Sequence, residues 1–137
     1  MIEIERKFLV SNIDHCLHNH IRSISIVQCY LSFDPARTIR VRKMDNKAFI
    51  TIKGEPNQTG DTRFEWDKEI TQKDSIQLFN LSLGQIIEKT RYVVPHKSHL
   101  FEVDVFSGKF QGLVVAEVEL SSADEKLDLP KWIGDEV

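Results

Sequence analysis

Residues 2–10 read Ile2-Glu3-Ile4-Glu5-Arg6-Lys7-Phe8-Leu9-Val10. In an extended strand, residues two apart share a face. Glu3, Glu5 and Lys7 therefore point one way, while Ile4 and Phe8 point the other. This period of two recurs along the chain and predicts strands over about 2–10, 23–33, 36–44, 47–54, 61–70, 85–95, 99–107 and 113–121. Turn residues separate them: Asp34-Pro35, Asp45-Asn46, Glu55 to Gly60, and Ser107-Gly108. Short connections imply antiparallel neighbours. Thr71 with Asp74 and the spacing of Ile76, Phe79 and Leu83 predict a helix over about 72–82, and segments near 13–20 and 122–127 are candidates for short helical turns.

The charged faces are the unusual feature. Arg40 and Arg42 share a face, as do Thr51 and Lys53, Arg63 and Glu65, Lys89 and Arg91, Glu102 and Asp104, and Glu117 and Glu119. On an arbitrary alternating strand the polar side meets water. Here like charges sit two apart within a strand, with acids on the first, seventh and eighth strands and bases mainly on the third, fourth and sixth. An exposed sheet usually mixes both signs. If the strands close into a barrel, Lys7, Arg40, Arg42, Lys53, Arg63, Lys89 and Arg91 line one cavity. Unpaired buried ions cost several kcal/mol each, so such a cavity calls for a polyanionic guest, or for opposing carboxylates and water, to compensate. Carboxylates without His or Cys suit a hard cation such as Mg²⁺ or Mn²⁺. Together these point to a metal-complexed polyphosphate.

The composition sets limits. One domain of 137 residues is long enough to bury a core. A net charge of −3 argues against a generic nucleic-acid binder. Cys16 and Cys29 make neither a disulfide framework nor a zinc site, so a reduced cytoplasm is the expected compartment. The sequence shows no signal peptide and no apolar run of membrane-spanning length, and it leaves a homodimer open.

Glu3-Ile4-Glu5-Arg6-Lys7 resembles the ExExK signature of the triphosphate tunnel metalloenzymes, the CYTH superfamily. Further motifs follow in the family's order: IRVR at Arg40 and Arg42, TIK at Lys53, EKTRY at Arg91, FEVDVF at Glu102 and Asp104, and AEVEL at Glu117 and Glu119. The opening EIERKFLV is similar to that of short bacterial members, several of them inorganic triphosphatases. The resemblance implies a mainly β fold: a single eight-stranded closed antiparallel β-barrel, the triphosphate tunnel, with a few short flanking helices. It implies metal-dependent hydrolysis of inorganic triphosphate, with a small-molecule triphosphate as partner and neither nucleic acid nor membrane.

By position, the resemblance makes Lys7, Arg40, Arg42, Lys53, Arg63, Lys89 and Arg91 the phosphate-binding set. Glu3, Glu5 and Glu119 become ligands of a first metal, while Glu102, Asp104 and Glu117 take a second metal or the attacking water. The implied catalytic residues are Asp104, Glu117 and Lys53. Similar proteins continue beyond Val137 with a basic segment and a closing helix, so residues 1–137 are expected to form one tunnel domain without that segment.

Thiamine triphosphatase and class IV-type adenylate cyclase share these motifs, which keeps hydrolysis or cyclisation of an organic triphosphate as the alternative. A non-catalytic polyphosphate or nucleotide module is the rival from another class. Trp66 and Tyr30 read as core or rim residues, His15, His18 and His20 as a solvated turn, and Cys29 as a small packed hydrophobe. Asp124, Glu125, Asp128, Asp135 and Glu136 read as a solvated acidic end, with Lys109 and Lys126 on the surface.

Overall fold

The computed structural model describes residues 1–137. Its strands are β1 (Ile2–Val10), β2 (Arg22–Ser32), β3 (Arg37–Met44), β4 (Lys47–Gly54), β5 (Thr62–Ile70), β6 (Leu83–His96), β7 (His99–Ser107), β8 (Val114–Glu119) and β9 (Ile133–Glu136). Helix α1 spans Ile13–Asn19 and α2 spans Gln72–Phe79. The sheet order is β5-β4-β3-β2-β6-β7-β8-β1-β9, and β5 also pairs with β1. That extra pairing returns the ladder to its start, so β1–β8 make the expected closed antiparallel β-barrel, with β9 as an added strand. No helix is long and apolar enough to cross a membrane.

Local chemistry accounts for the boundaries. Thr71 Oγ1 accepts a hydrogen bond from the Asp74 N–H at 3.0 Å and starts α2, and Asn12 Oδ1 does the same for α1 with the His15 N–H at 3.3 Å. Between β3 and β4, Asp45 takes φ 55, the left-handed conformation that a two-residue hairpin connection needs. The segment near 122–127 is not helical; Glu125 instead accepts from the N–H and Oγ of Ser121.

The chain divides into two compact units. Unit 1 contains Met1–Glu3 and Ser25–Glu88; unit 2 contains Ile4–Ile24 and Lys89–Val137. In unit 1, Cys29, Val41 and Ala48 are fully buried on one face of the sheet, where α2 packs with its buried Ser75. Cys29 thus packs as expected, on the face opposite Gln28 and Tyr30.

In unit 2 the hydrophobic core lies on the ladder face that bears Phe8, Ala116 and Val103 in register, with Val118 beside Phe101. Cys16 of α1 and Trp132 close over it, and the Trp132 ring meets Phe101 edge-on at 5.4 Å. Glu5, Lys7, Glu102, Asp104, Glu117 and Glu119 occupy the other face of this ladder.

The acidic end is not simply solvated. Glu136 receives both Nε and Nη2 of Arg6, at 2.9 and 2.8 Å, and so anchors β9 beside β1. Glu125 Oε2 lies 2.5 Å from His99 Nε2. Arg6 faces away from Glu5 and Lys7, which makes this outer pairing available to it.

Candidate functional site

The strand faces of unit 1 place the predicted cations in three registered rows. Tyr30, Arg40, Thr51 and Asp67 form one, Gln28 and Arg42 the next, and Thr38, Lys53 and Glu65 the third. Arg42 is only 8% exposed, and its Nη2 donates to Thr51 Oγ1 at 3.4 Å. That hydroxyl donates onward to Asp67 Oδ1 at 2.5 Å. Arg40 Nε and Gln28 Oε1 are buried without hydrogen-bond partners. A buried guanidinium N–H left in that state favours an anionic acceptor.

Lys53 is held between two carboxyl groups, 2.7 Å from Glu3 Oε1 and 3.4 Å from Glu65 Oε2. Burial opposes ionisation of Glu3, yet its contacts with Glu65 and Lys53 and the charge of Arg40 hold it below 4.5. Glu65 moves the other way: burial first, then the hydrogen bond and charge of Glu3, push it to about 7. The two groups share a proton beside the ammonium of Lys53. Arg63 donates through Nε to the Gly54 carbonyl at 2.9 Å and through Nη2 to Thr38 Oγ1 at 3.3 Å, so it braces the ends of β3 and β4.

Unit 2 carries the other charged rows. Glu5 stands opposite Glu119, and Lys7, Glu117 and Glu102 follow one another across β1, β8 and β7. Like charges placed directly across a ladder repel. Lys7 Nζ lies 3.6 Å from Glu5 and gives that carboxylate one counter-charge, while Glu119 remains exposed. Lys89 and Arg91 are both 6% exposed and both reach Asp104, itself 2% exposed. Burial works against the Asp104 carboxylate, but Arg91 and Lys89 hold it below its ordinary 3.8.

Nowhere do three or more His, Cys, Asp or Glu side chains converge closely enough to hold an ion, and this includes the three histidines near α1. The acidic rows nonetheless fit a hard divalent cation: their donors are all oxygen, and the facing pairs Glu5–Glu119 and Glu102–Glu117 need positive charge between them.

The rows also bring in Thr51, Glu65 and Asp67, which the sequence reading left without a role. Their signal was the alternation itself, because Glu65 and Asp67 are spaced like Glu102 and Asp104. The strand-by-strand separation of acids from bases breaks at β5, where these two acids face the bases of β3 and β4.

A CYTH domain model matches residues 1–137. The chain is 35% identical over 136 residues to an inorganic triphosphatase of Acetivibrio thermocellus, covering 98% of this chain and 85% of that protein. It is also 35% identical, over an alignment of 143 positions, to an inorganic triphosphatase of Nitrosomonas europaea, covering 100% of this chain and 89% of that one. Among solved structures, that of the inorganic triphosphatase NE1496 superimposes with a TM-score of 0.67 at 32% identity, over 98% of this chain and 88% of the other.

Proposed function

The chain belongs to the CYTH domain family, and on that premise we propose that it is a metal-dependent inorganic triphosphatase. One observation carries the reading: charged side chains on the strand faces are withdrawn from water, with Arg42 8%, Lys89 6% and Arg91 6% exposed. A sheet that merely displayed its polar side to solvent would leave these cations exposed. The naming of two 35% identical relatives as inorganic triphosphatases supports the same substrate class.

In this reading Lys7, Arg40, Arg42, Lys53, Lys89 and Arg91 bind phosphate oxygens, and Arg63 supports them from the strand ends. Phosphoryl transfer asks little covalent chemistry of the protein, so holding the chain in line and neutralising its charge provide most of the rate. Lys53, held 2.7 Å from Glu3, stabilises negative charge on the transferring group. Glu117, partly buried beside Glu102, accepts the proton of the attacking water. Glu3, Glu5 and Glu119 would hold Mg²⁺ or Mn²⁺, with Glu102 and Glu117 available to a second ion, and such a cation would supply further charge neutralisation and activation of water.

The test is orthophosphate release from tripolyphosphate with and without Mg²⁺ or Mn²⁺. Glu5→Gln and Glu119→Gln are expected to abolish metal-dependent turnover while leaving the far-ultraviolet circular dichroism unchanged. Full activity in both variants, or no release by the unaltered protein with either metal, refutes the assignment.

A further inference from the structure

Asp104 stands at the centre of the most deeply withdrawn charge cluster of unit 2. Its side chain is 3% exposed, that of Lys89 5% and that of Arg91 8%. Oδ1 accepts from Arg91 Nε at 2.8 Å, and Oδ2 accepts from Arg91 Nη2 at 3.0 Å with Lys89 Nζ 2.7 Å away. Both carboxylate oxygens are therefore engaged by cationic donors. A carboxylate has about four lone-pair directions, and three are taken here. A divalent cation on the remaining one would sit beside two positive charges that repel it.

From this geometry we infer that Asp104 is a positioning residue: it locks the Arg91 fork and the Lys89 ammonium into one arrangement that receives an oxyanion of the triphosphate, and it does not ligate metal. The inference rests on the triphosphatase reading and gives Asp104 a different part in it.

The disposition of Arg91 supports the assignment. Its Nε and Nη2 are spent on Asp104, which fixes the plane of the guanidinium and leaves Nη1 as the outward group, 3.5 Å from Glu102 Oε2. Glu102 is 45% exposed at its side chain, so water screens much of its charge. The Lys89 ammonium is likewise oriented, with the Phe106 ring centroid 5.4 Å away.

Asp104→Asn keeps the shape and removes the charge. If Asp104 acted only through its charge, losing it would leave two cations less neutralised and tighten anion binding; a positioning role predicts the opposite. Tripolyphosphate binding is measured by calorimetry in EDTA, and Mn²⁺ binding by electron paramagnetic resonance without phosphate. The expected result is a loss of about tenfold or more in tripolyphosphate affinity, with Mn²⁺ affinity unchanged and KM raised more than kcat is lowered. Weakened Mn²⁺ binding, or tripolyphosphate binding that is unchanged or tighter, overturns the inference.

Should that variant fail to fold, Asp104→Asn with Lys89→Met removes one charge of each sign and is read by the same two titrations. Lys89 itself belongs to the phosphate-binding set, so only the metal titration decides here: unchanged Mn²⁺ affinity supports the assignment, and weakened Mn²⁺ binding overturns it. No tripolyphosphate binding by the unaltered protein removes the triphosphatase reading itself, and this inference with it. Unaffected binding in Asp104→Asn removes the inference alone.

Discussion

Replacing Glu65 with Gln should make the protein more stable in mild alkali. Lys53 lies 2.7 Å from Glu3 and 3.4 Å from Glu65, so two carboxyl groups compete for one ammonium. Glu65 is the one that keeps the proton, raised from its ordinary 4.5 to about 7 by burial and by Glu3. Between these values the native state binds a proton that the unfolded chain releases. Stability from this group is therefore complete below 4.5 and declines as pH climbs towards about 7. Each pKa unit corresponds to about 1.4 kcal/mol, which caps the loss at about 3 kcal/mol. Glu65 is only half-buried, so water screens part of this interaction and the expected loss is about 1 to 2 kcal/mol. Gln keeps the shape and cannot ionise. In urea unfolding the wild type should lose about 1 to 2 kcal/mol more than Glu65→Gln between pH 5 and pH 8, and the variant should be the more stable at pH 8. Parallel pH profiles for the two proteins would show that the shared proton does not exist.

Two further substitutions test the packing on either side of the strands. Thr51→Val deletes the hydroxyl that joins buried Arg42 to exposed Asp67 while nearly preserving volume; it is expected to leave the fold intact, at a stability cost of about 1 kcal/mol, and to raise the KM for tripolyphosphate. An unchanged KM in steady-state phosphate release would exclude that relay from substrate binding. Trp132→Ala, at a residue 3% exposed against Phe101, should destabilise by about 3 to 5 kcal/mol in the same urea assay. A cost below about 1 kcal/mol would mean that the segment carrying Trp132 does not cover the core.

The strands were legible because their chemistry is local. Alternation over Ile2–Val10, Lys47–Gly54 and His99–Ser107 specifies which residues share a face, and the structure has strands over those same spans. Thr71 was equally readable, since a cap acts within three residues. Strand β9 was not. Four residues that include Gly134 and two acids carry little strand preference of their own, and the partners of β9 lie far away in sequence: the β1 backbone pairs with it, Ile133 packs on the core, and Arg6 meets Glu136 130 positions away.

The same distinction divides the candidate site. Alternation groups Glu3 with Glu5 and Arg40 with Arg42, but it does not say which acid meets which base. That depends on register between strands far apart in the chain, as with Lys53 and Glu3. Glu65 and Asp67 lay hidden for this reason: Arg63 and Lys68 gave β5 a mixed-charge look that suits an ordinary solvated strand. Their importance appears only when Lys53 and Thr51 are set opposite them in the ladder. A charged face is therefore recognisable from one strand, whereas a proton shared between Glu3 and Glu65 is a property of two strands brought beside a third.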